Sequence, residues 1–178
     1  MGKEHKEKEI QLVVFILNNE EFACNITDVK EVLKMFKVTS LPQSLKFVEG
    51  VINLRGEVIP VVDLRKRFNL PEVDYSEQSR IIIVEVGSNQ VGLIVDAVTE
   101  VLRLPASQVQ ASPSGIAGDC SQLIEGVGKI EQRLLIILDL EYILSTEEQL
   151  ALDDITAAGR EAAAIKEAEG AQEAGNRK

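Results

Sequence analysis

Few residues of this chain have the types and spacing needed for catalysis or metal binding. His5 is the only histidine and lies in a charged N-terminal segment, so a histidine base, a Ser-His-Asp triad or a His/Cys zinc site is hard to place. Cys24 and Cys120 form no CxxC pattern, which favours buried, inert thiols. The adjacent carboxylates Glu147-Glu148 and Asp153-Asp154 fit a solvated helix surface. The sequence therefore predicts no catalytic residue, no metal site and no cofactor.

Charge and composition restrict the possible partners. The chain has a net charge of -10 and only 4% aromatic residues. Nucleic-acid affinity rests largely on basic side chains that neutralise phosphates, and single-strand binding adds aromatic stacking, so nucleic acid is disfavoured. No secretory segment and no long uncharged apolar span are present, which predicts a cytoplasmic protein without direct membrane insertion.

An internal duplication is the strongest pattern in the sequence. Residues 11–33 align with residues 80–102 at a constant offset of 69, and residues 48–64 align with residues 124–140 at an offset of 76. Apolar positions coincide almost throughout, as expected when packing constrains two copies of one module. Two copies are too few for a solenoid, so the sequence predicts two similar subdomains.

Within each copy, the signals are those of short strands separated by turns. Apolar, β-branched runs ended by polar turn clusters predict a first hairpin in each copy. Residues 50–64 predict a second hairpin that turns near Gly56-Glu57, with Asp63 as a turn or cap residue at its end, and residues 126–140 repeat both features. Valines three residues apart in residues 28–33 and 97–102 predict one or two helical turns.

Four segments fall outside the predicted strands. Residues 1–9 are predicted to be a flexible N-terminus, and residues 69–79 a polar connector between the copies. Residues 105–118 contain proline and glycine and predict a surface loop. Residues 146–178 are rich in Ala and Glu and predict a helix followed by a frayed tail.

The two copies differ most clearly in their charges. Glu31 corresponds to Glu100, whereas Arg55 corresponds to Glu131. If the copies share a fold, the geometry that lets Glu31 meet Arg55 would bring two carboxylates together in the second copy. We therefore expect Glu31 and Arg55 to lie in contact, and Glu100 and Glu131 to lie apart or to face solvent. The spacing leaves two interpretations open, namely a local surface salt bridge of little energetic consequence or a charged surface kept for a partner.

The run from Val48 to Leu64 contains the string NLRG-x-x-x-P-x-x-D-L and resembles the CheW family of chemotaxis coupling proteins. The resemblance covers about residues 10–144 and implies a CheW-like domain over residues 10–145. It implies a mainly β fold of two similar five-stranded SH3-like β-barrel subdomains with short helices. Subdomain 1 would span about residues 11–68 and subdomain 2 about residues 80–144.

The resemblance also implies a non-enzymatic function as an adaptor. Family members link transmembrane chemoreceptors to the histidine kinase CheA, through the receptor's cytoplasmic hairpin tip and the kinase's regulatory domain. The protein would then be recruited from the cytoplasm to membrane-bound receptor arrays. The alternative is a generic β-barrel module outside chemotaxis that binds a ligand or a protein.

Candidate protein-binding residues follow from the same resemblance. The family's functionally sensitive positions fall on Val29, Glu31, Gly50, Arg55, Gly56 and Val101. A receptor helix lying in a groove between the barrels would contact Val29, Val32, Leu33 and Val101 through its apolar face. The alternative for each of these apolar residues is burial in the core, where such residues are most often found.

Overall fold

The computed structural model describes residues 8–40, 42, 45–111, 123–144 and 157. Within these residues the chain forms eleven strands, one short α-helix and three 3-10 turns, which confirms the mainly β class. The first copy contains β1 (Glu9–Leu17), β2 (Glu20–Asn25), a 3-10 turn (Ile26–Asp28), β3 (Val29–Lys34), β4 (Val48–Leu54), β5 (Glu57–Asp63) and α1 (Leu64–Arg67). The second contains β6 (Arg80–Val86), β7 (Asn89–Val95), β8 (Ala97–Pro105), a 3-10 turn (Ala106–Gln108), β9 (Val109–Ala111), β10 (Ile124–Ile130), β11 (Arg133–Leu138) and a 3-10 turn (Leu140–Tyr142).

The element order repeats as the duplication predicts. Strands β1 to β5 correspond in order to β6, β7, β8, β10 and β11, and the 3-10 turn after β11 takes the place of α1. Among the strands, β9 is the exception, because in the first copy a single bridge between Thr39 and Val51 occupies the equivalent place. Asp63 and Asp139 both cap the turn that follows their hairpin, since each carboxylate accepts the backbone N–H two residues on (2.9 and 3.1 Å). Their predicted cap role is confirmed.

Each sheet combines strands of both copies. The six-stranded sheet has the order β8-β1-β2-β11-β10-β9, and the five-stranded sheet has the order β3-β6-β7-β5-β4. The first hairpin of each copy therefore lies in the sheet of the other copy, joined there by parallel pairing of β2 with β11 and of β7 with β5. The expected subdomains, residues 11–68 and 80–144, are repeats of the sequence but do not coincide with the sheets. Apolar alternation specifies which face of a strand is buried, not which sheet the strand joins.

The buried apolar residues form three hydrophobic clusters, of which one joins the two sheets. The largest lies between the sheets and contains Phe15 and Leu17 from one sheet and Val62, Ile82 and Leu93 from the other. Smaller clusters fill the opposite face of the six-stranded sheet, around Leu12, Val14, Leu104, Leu135 and Ile137, and of the five-stranded sheet, around Ile52, Ile59, Val61, Ile81 and Ile83. Both faces of the central strands are thus buried, which explains their continuous apolar runs.

Two local predictions were wrong. The segments predicted as helical turns, residues 28–33 and 97–102, begin with a 3-10 turn at most and are otherwise the strands β3 and β8. Their valines are three residues apart because each ladder contains a bulge, near Val29 and Glu31 in one sheet and opposite Val14 and Phe15 in the other. An inserted residue shifts the alternation by one, so a strand then shows a spacing that resembles a helix. The predicted loop at residues 105–118 also begins with ordered elements, the 3-10 turn Ala106–Gln108 and strand β9.

The remaining terminal predictions lie largely outside the described residues. These are the flexible N-terminus, apart from its last two residues, and the Ala/Glu-rich helix and tail, apart from Ala157. The same holds for the rest of the predicted loop, residues 112–118. In the part of the chain that the structure describes, no helix is long and apolar enough to cross a membrane.

Candidate partner-binding site

The β4–β5 turn presents Arg55 in an uncommon backbone conformation. Arg55 and Gly56 both have positive φ (51° and 87°), as the two central residues of a type I′ turn do. The side-chain oxygen of Asn53 accepts the Gly56 N–H at 3.0 Å and fixes the turn from one side. Asn, Asp and Gly usually occupy the first position, because a positive φ is costly for a long side chain. The turn therefore carries an arginine where local propensity alone would select a smaller residue.

Arg55 reaches across the five-stranded sheet to Glu31. Its two Nη atoms donate to the two carboxylate oxygens of Glu31 at 2.9 Å each, a bidentate geometry. Strand β3 is one edge of this sheet and β4 is the other, so the ion pair links an edge strand to the hairpin at the opposite edge. The hydrogen bonds from Arg55 hold the pKa of Glu31 below its usual range. The expected contact is confirmed, and the Arg55 side chain remains 73% exposed.

The second copy replaces this pair with a three-residue cluster. Arg133 donates from Nη2 to Glu100 at 2.6 Å, and from Nε and Nη2 to the two carboxylate oxygens of Glu21 at 3.1 and 2.6 Å. Hydrogen bonds from Arg133 lower the pKa of Glu21. Glu131, the counterpart of Arg55, also has positive φ (53°) but is exposed, and it makes no ion pair with any described residue. Glu100 is thus paired with Arg133 while Glu131 faces solvent, as expected for two carboxylates that would repel each other.

Arg133 and Glu21 were not anticipated from the sequence. At the same offsets, Arg133 corresponds to Glu57 and Glu21 corresponds to Gln90. Each copy thus has one arginine at this hairpin, within the two-residue turn in the first copy and directly after the turn in the second. Extending the charge comparison by two residues, from Arg55 and Glu131 to Glu57 and Arg133, shows this exchange in the sequence itself.

The four apolar candidates divide into two groups. Val29 is half-buried against the core between the sheets, and Leu33 is half-buried against the core of the five-stranded sheet, so burial accounts for much of both. Val32 and Val101 are 41% and 55% exposed. They are equivalent positions in the two copies, at the offset of 69.

Both exposed valines lie on strand faces that turn toward the core between the sheets. Val32 is paired with Ile82 and Val101 with Val13, and these two partners belong to the core between the sheets. Strands β3 and β8 are edge strands of different sheets. The valines therefore stand at the margin of the inter-sheet core, one on each sheet.

The two glycine candidates have backbone roles. Gly50 is buried with φ of 149°, and a Cβ there would lie 2.1 Å from the carbonyl oxygen of Thr39. That distance is far below van der Waals contact, so the close approach of the two chain segments requires glycine. Gly56 has open space around it and is required only for the positive φ of the turn. Neither glycine contributes side-chain surface to a partner.

A second polar network connects helix α1 with the residues that follow strands β1 and β7. Arg65 of α1 donates from Nε and Nη2 to the two carboxylate oxygens of Asp96 at 2.7 and 2.6 Å, and Asp96 also accepts the backbone N–H of Asn18 at 2.9 Å. Burial alone would raise the pKa of Asp96, but these hydrogen bonds outweigh it and hold that pKa below its usual range. Nearby, the Tyr75 hydroxyl of the connector donates to Asp63 at 3.1 Å. The network ties the connector and α1 to the sheets.

The described residues contain no group of three or more His, Cys, Asp or Glu side chains arranged to hold a metal ion. Burial raises the pKa of the Cys24 thiol to about 12, so this cysteine is protonated and unreactive at neutral pH. The site instead presents binding surface to a partner. It consists of the exposed guanidinium of Arg55 and the exposed side chains of Val32 and Val101 beside the core between the sheets.

Known proteins share both the sequence and the fold. Residues 11–148 match the CheW-like domain. The chain is 41% identical over 145 residues to the chemotaxis protein CheW of Bacillus subtilis (strain 168), which covers 81% of this chain and 93% of that protein. It is 34% identical over 145 residues to the chemotaxis protein CheW of Klebsiella aerogenes, covering 82% and 87%. The crystal structure of the scaffolding protein TtCheW from Thermoanaerobacter tengcongensis superposes with a TM-score of 0.72 at 38% identity, covering 79% of this chain and 96% of that chain.

Proposed function

Since this chain belongs to the CheW family, we propose that it is a non-enzymatic scaffold that couples transmembrane chemoreceptors to the histidine kinase CheA in bacterial chemotaxis. Relatives that match most of the chain are named chemotaxis proteins, and the matching crystal structure is that of a scaffolding protein. The observation that carries the proposal is the presentation of Arg55, which stands 73% exposed on a strained turn although it is already paired with Glu31.

The receptor would bind at the margin of the core between the sheets. Val32 and Val101 supply exposed apolar surface there, and Val29 lies half-buried beside the same core. An amphipathic receptor helix that lays its apolar face along this margin would cover both valines. Apolar surface surrounded by polar residues is typical of interfaces that form reversibly.

The Arg55 turn would provide the second functional feature. A guanidinium has five N–H donors, and Arg55 uses two of them on Glu31, so three remain for a partner. Because the bidentate pair restricts the side chain, little conformational entropy is lost when a partner contacts it. Glu31, Arg55 and Gly56 then act as one unit in coupling, and Gly50 allows the close approach of strand β4 to Thr39.

The partners would bring the protein to the membrane. The receptor's cytoplasmic hairpin tip and the regulatory domain of CheA are the two proposed binding partners, and neither requires insertion of this chain into lipid. The protein would work in the cytoplasm and join membrane-bound receptor arrays through these contacts.

Reconstitution tests the proposal directly. Purified protein, CheA and receptor-containing membranes are mixed, and receptor-dependent kinase activity is measured for wild type and for Arg55→Ala, Val29→Met and Val101→Ser. Glu131→Ala is the matched control, because it truncates the equivalent turn residue of the second copy. We expect wild type and the control to couple, and the three variants to lose coupling while their circular dichroism melts stay close to wild type.

A wild-type protein that binds neither CheA nor the receptor would contradict the proposal and favour a β-barrel module outside chemotaxis. Normal coupling by a folded Arg55→Ala protein would exclude the proposed role of that residue. Loss of coupling only in proportion to loss of fold would make these residues structural.

A further inference from the structure

The two edge strands present the same pair of exposed residues. On β3, Lys34 lies two residues after Val32, and on β8, Arg103 lies two residues after Val101. Residues two apart on a strand point to the same face, so each cation stands beside its valine. All four side chains belong to exposed residues. An apolar residue with a neighbouring cation is thus repeated on both sheets.

Several basic residues near these two cations are paired with carboxylates. Lys30 is paired with Glu85 at 3.0 Å, Arg55 with Glu31, and Arg133 with Glu21 and Glu100. The side chains of Lys34 and Arg103 make no ion pair or hydrogen bond with any residue that the structure describes. In a chain of net charge -10, two equivalent positions therefore keep an unneutralised positive charge beside exposed apolar surface.

The two copies keep the same valine and the same charge sign at these positions. Some charged positions of the two copies have exchanged sign, as Arg55 with Glu131 and Glu57 with Arg133, while others, such as Glu31 and Glu100, have kept it. The cation at 34 and 103 has kept its sign, and the valine at 32 and 101 has kept its type. Solvation alone requires neither residue, because any polar side chain would serve on an exposed edge.

We infer that the occupant of this face is an amphipathic helix whose apolar stripe is flanked by carboxylates. The inference rests on the proposed function, in which a receptor helix covers Val32 and Val101, and it adds the charge of that helix. Acidic side chains on the helix would meet Lys34 on one sheet and Arg103 on the other, while the valines bury the apolar stripe. Complementary charges of this kind set the orientation of a partner and accelerate its association, and salt weakens both effects.

The test is binding of a receptor cytoplasmic fragment, measured by calorimetry at low and at high NaCl concentration. We expect the affinity of the wild-type protein to fall as salt rises. The double variant Lys34→Glu/Arg103→Glu should bind about tenfold or more weakly at low salt, and its affinity should rise with salt because salt screens the new repulsion. Lys129→Glu is the matched control, since Lys129 is an exposed cation on β10, a strand that pairs with neither β3 nor β8, and its variant should bind as wild type does.

The outcomes separate the inference from the proposed function. No binding by wild type at any salt concentration would overturn the proposed function and the inference with it. Salt-independent binding that survives charge reversal but is lost in Val32→Ser/Val101→Ser would overturn only the acidic character of the helix. Weaker binding of the CheA regulatory domain, with receptor binding unchanged, would assign the cations to another class of partner and also overturn it.

Neutral variants guard against a folding defect. Lys34→Gln/Arg103→Gln removes both charges without introducing repulsion, and both positions are exposed, so the fold should be retained. We expect an intermediate loss of affinity at low salt and none at high salt. A reversal of glutamates on the receptor fragment to lysines should restore binding to the Lys34→Glu/Arg103→Glu protein, which a structural role for these cations would not produce.

Discussion

The five-stranded and six-stranded sheets each pair a glutamate of an edge strand with an arginine from the opposite hairpin, yet that arginine lies within the turn in one sheet and directly after the turn in the other. Arg133 follows its turn and lies between Glu21 and Glu100, with its side chain 40% exposed. Arg55 lies within its turn, contacts Glu31 alone and is 73% exposed. In both sheets an arginine thus ties a hairpin to an edge strand, but the two arginines differ in how many N–H donors remain for another partner.

This difference shows how a duplication can separate structure from function. Arg133 has a structural role, because its loss would leave the carboxylates of Glu21 and Glu100 without the cation that both contact. The arginine with one carboxylate holds its strand and still offers donors to a partner. The arginines of the two equivalent hairpins therefore differ in the hydrogen-bond donors that remain for a partner, and only their side-chain contacts show this difference.

The largest expected effect concerns the equivalent glycines Gly50 and Gly126. A Cβ at Gly50 would lie 2.1 Å from the Thr39 carbonyl oxygen in a backbone with φ of 149°, and a Cβ at Gly126 would lie 2.6 Å from the Gln110 carbonyl oxygen. We expect Gly50→Ala to lower the free energy of unfolding by about 3 kcal/mol, because backbone strain adds to the clash. Gly126→Ala should cost less. Urea denaturation of both variants checks the order, and a larger loss in Gly126→Ala would contradict it.

The next effect concerns the ion pair that braces α1. Arg65→Ala leaves Asp96 partly buried without its guanidinium, and we expect a loss of about 2 kcal/mol. Glu141, the counterpart of Arg65 at the offset of 76, is exposed and makes no side-chain contact of this kind with any described residue. Glu141→Ala should therefore leave the urea midpoint almost unchanged. Equal losses of unfolding free energy in both variants would contradict the expectation that only the first copy has this ion pair.

The same pair predicts a pH dependence. The pKa of Asp96 is lower in the folded protein than its usual value, so its contribution to stability is present above that usual value. The contribution is lost as the pH falls through the lowered pKa of the folded state. The difference in unfolding free energy between wild type and Arg65→Ala should therefore shrink at acid pH. Urea melts over a pH series check this, and a difference that stays constant down to full protonation would contradict the assignment.

Much of the fold could be predicted from the sequence because packing constrains both copies. The offsets of 69 and 76 locate every hairpin, and the sign change at Arg55 and Glu131 predicts the contact with Glu31. The exchange of hairpins between sheets could not be predicted, because Val13 or Ile82 would show the same apolar alternation in either sheet. The bulges in β3 and β8 produced a helix-like valine spacing for a related reason.

The parts of the site that depend on long-range pairing were also beyond sequence patterns. Arg65 and Asp96 are 31 positions apart and occupy no repeated motif, so only the folded chain brings them together. The partial burial of Leu33 and the exposure of Val32 follow from the phase of strand β3, which the bulge near Val29 sets. Sequence alone gave both residues the same candidate status.

A smaller effect is expected for the arginine of the six-stranded sheet. Arg133→Ala removes the cation shared by Glu21 and Glu100, so we expect a moderate fall in Tm, larger than that of Arg55→Ala. Glu21→Gln/Arg133→Ala should recover part of the loss, because one of the two facing carboxylates is then neutral. Circular dichroism melts measure both, and a double variant less stable than Arg133→Ala would contradict the repulsion.

Arg55→Ala should change stability least of all and coupling the most. Receptor-dependent kinase activity of CheA is measured with Arg55→Ala and Arg133→Ala side by side, each at a temperature where its melt shows a folded protein. We predict that Arg55→Ala abolishes most of the coupling at an almost unchanged Tm, and that Arg133→Ala lowers Tm but keeps coupling. Full coupling by Arg55→Ala, or loss of coupling in a folded Arg133→Ala protein alone, would contradict the account.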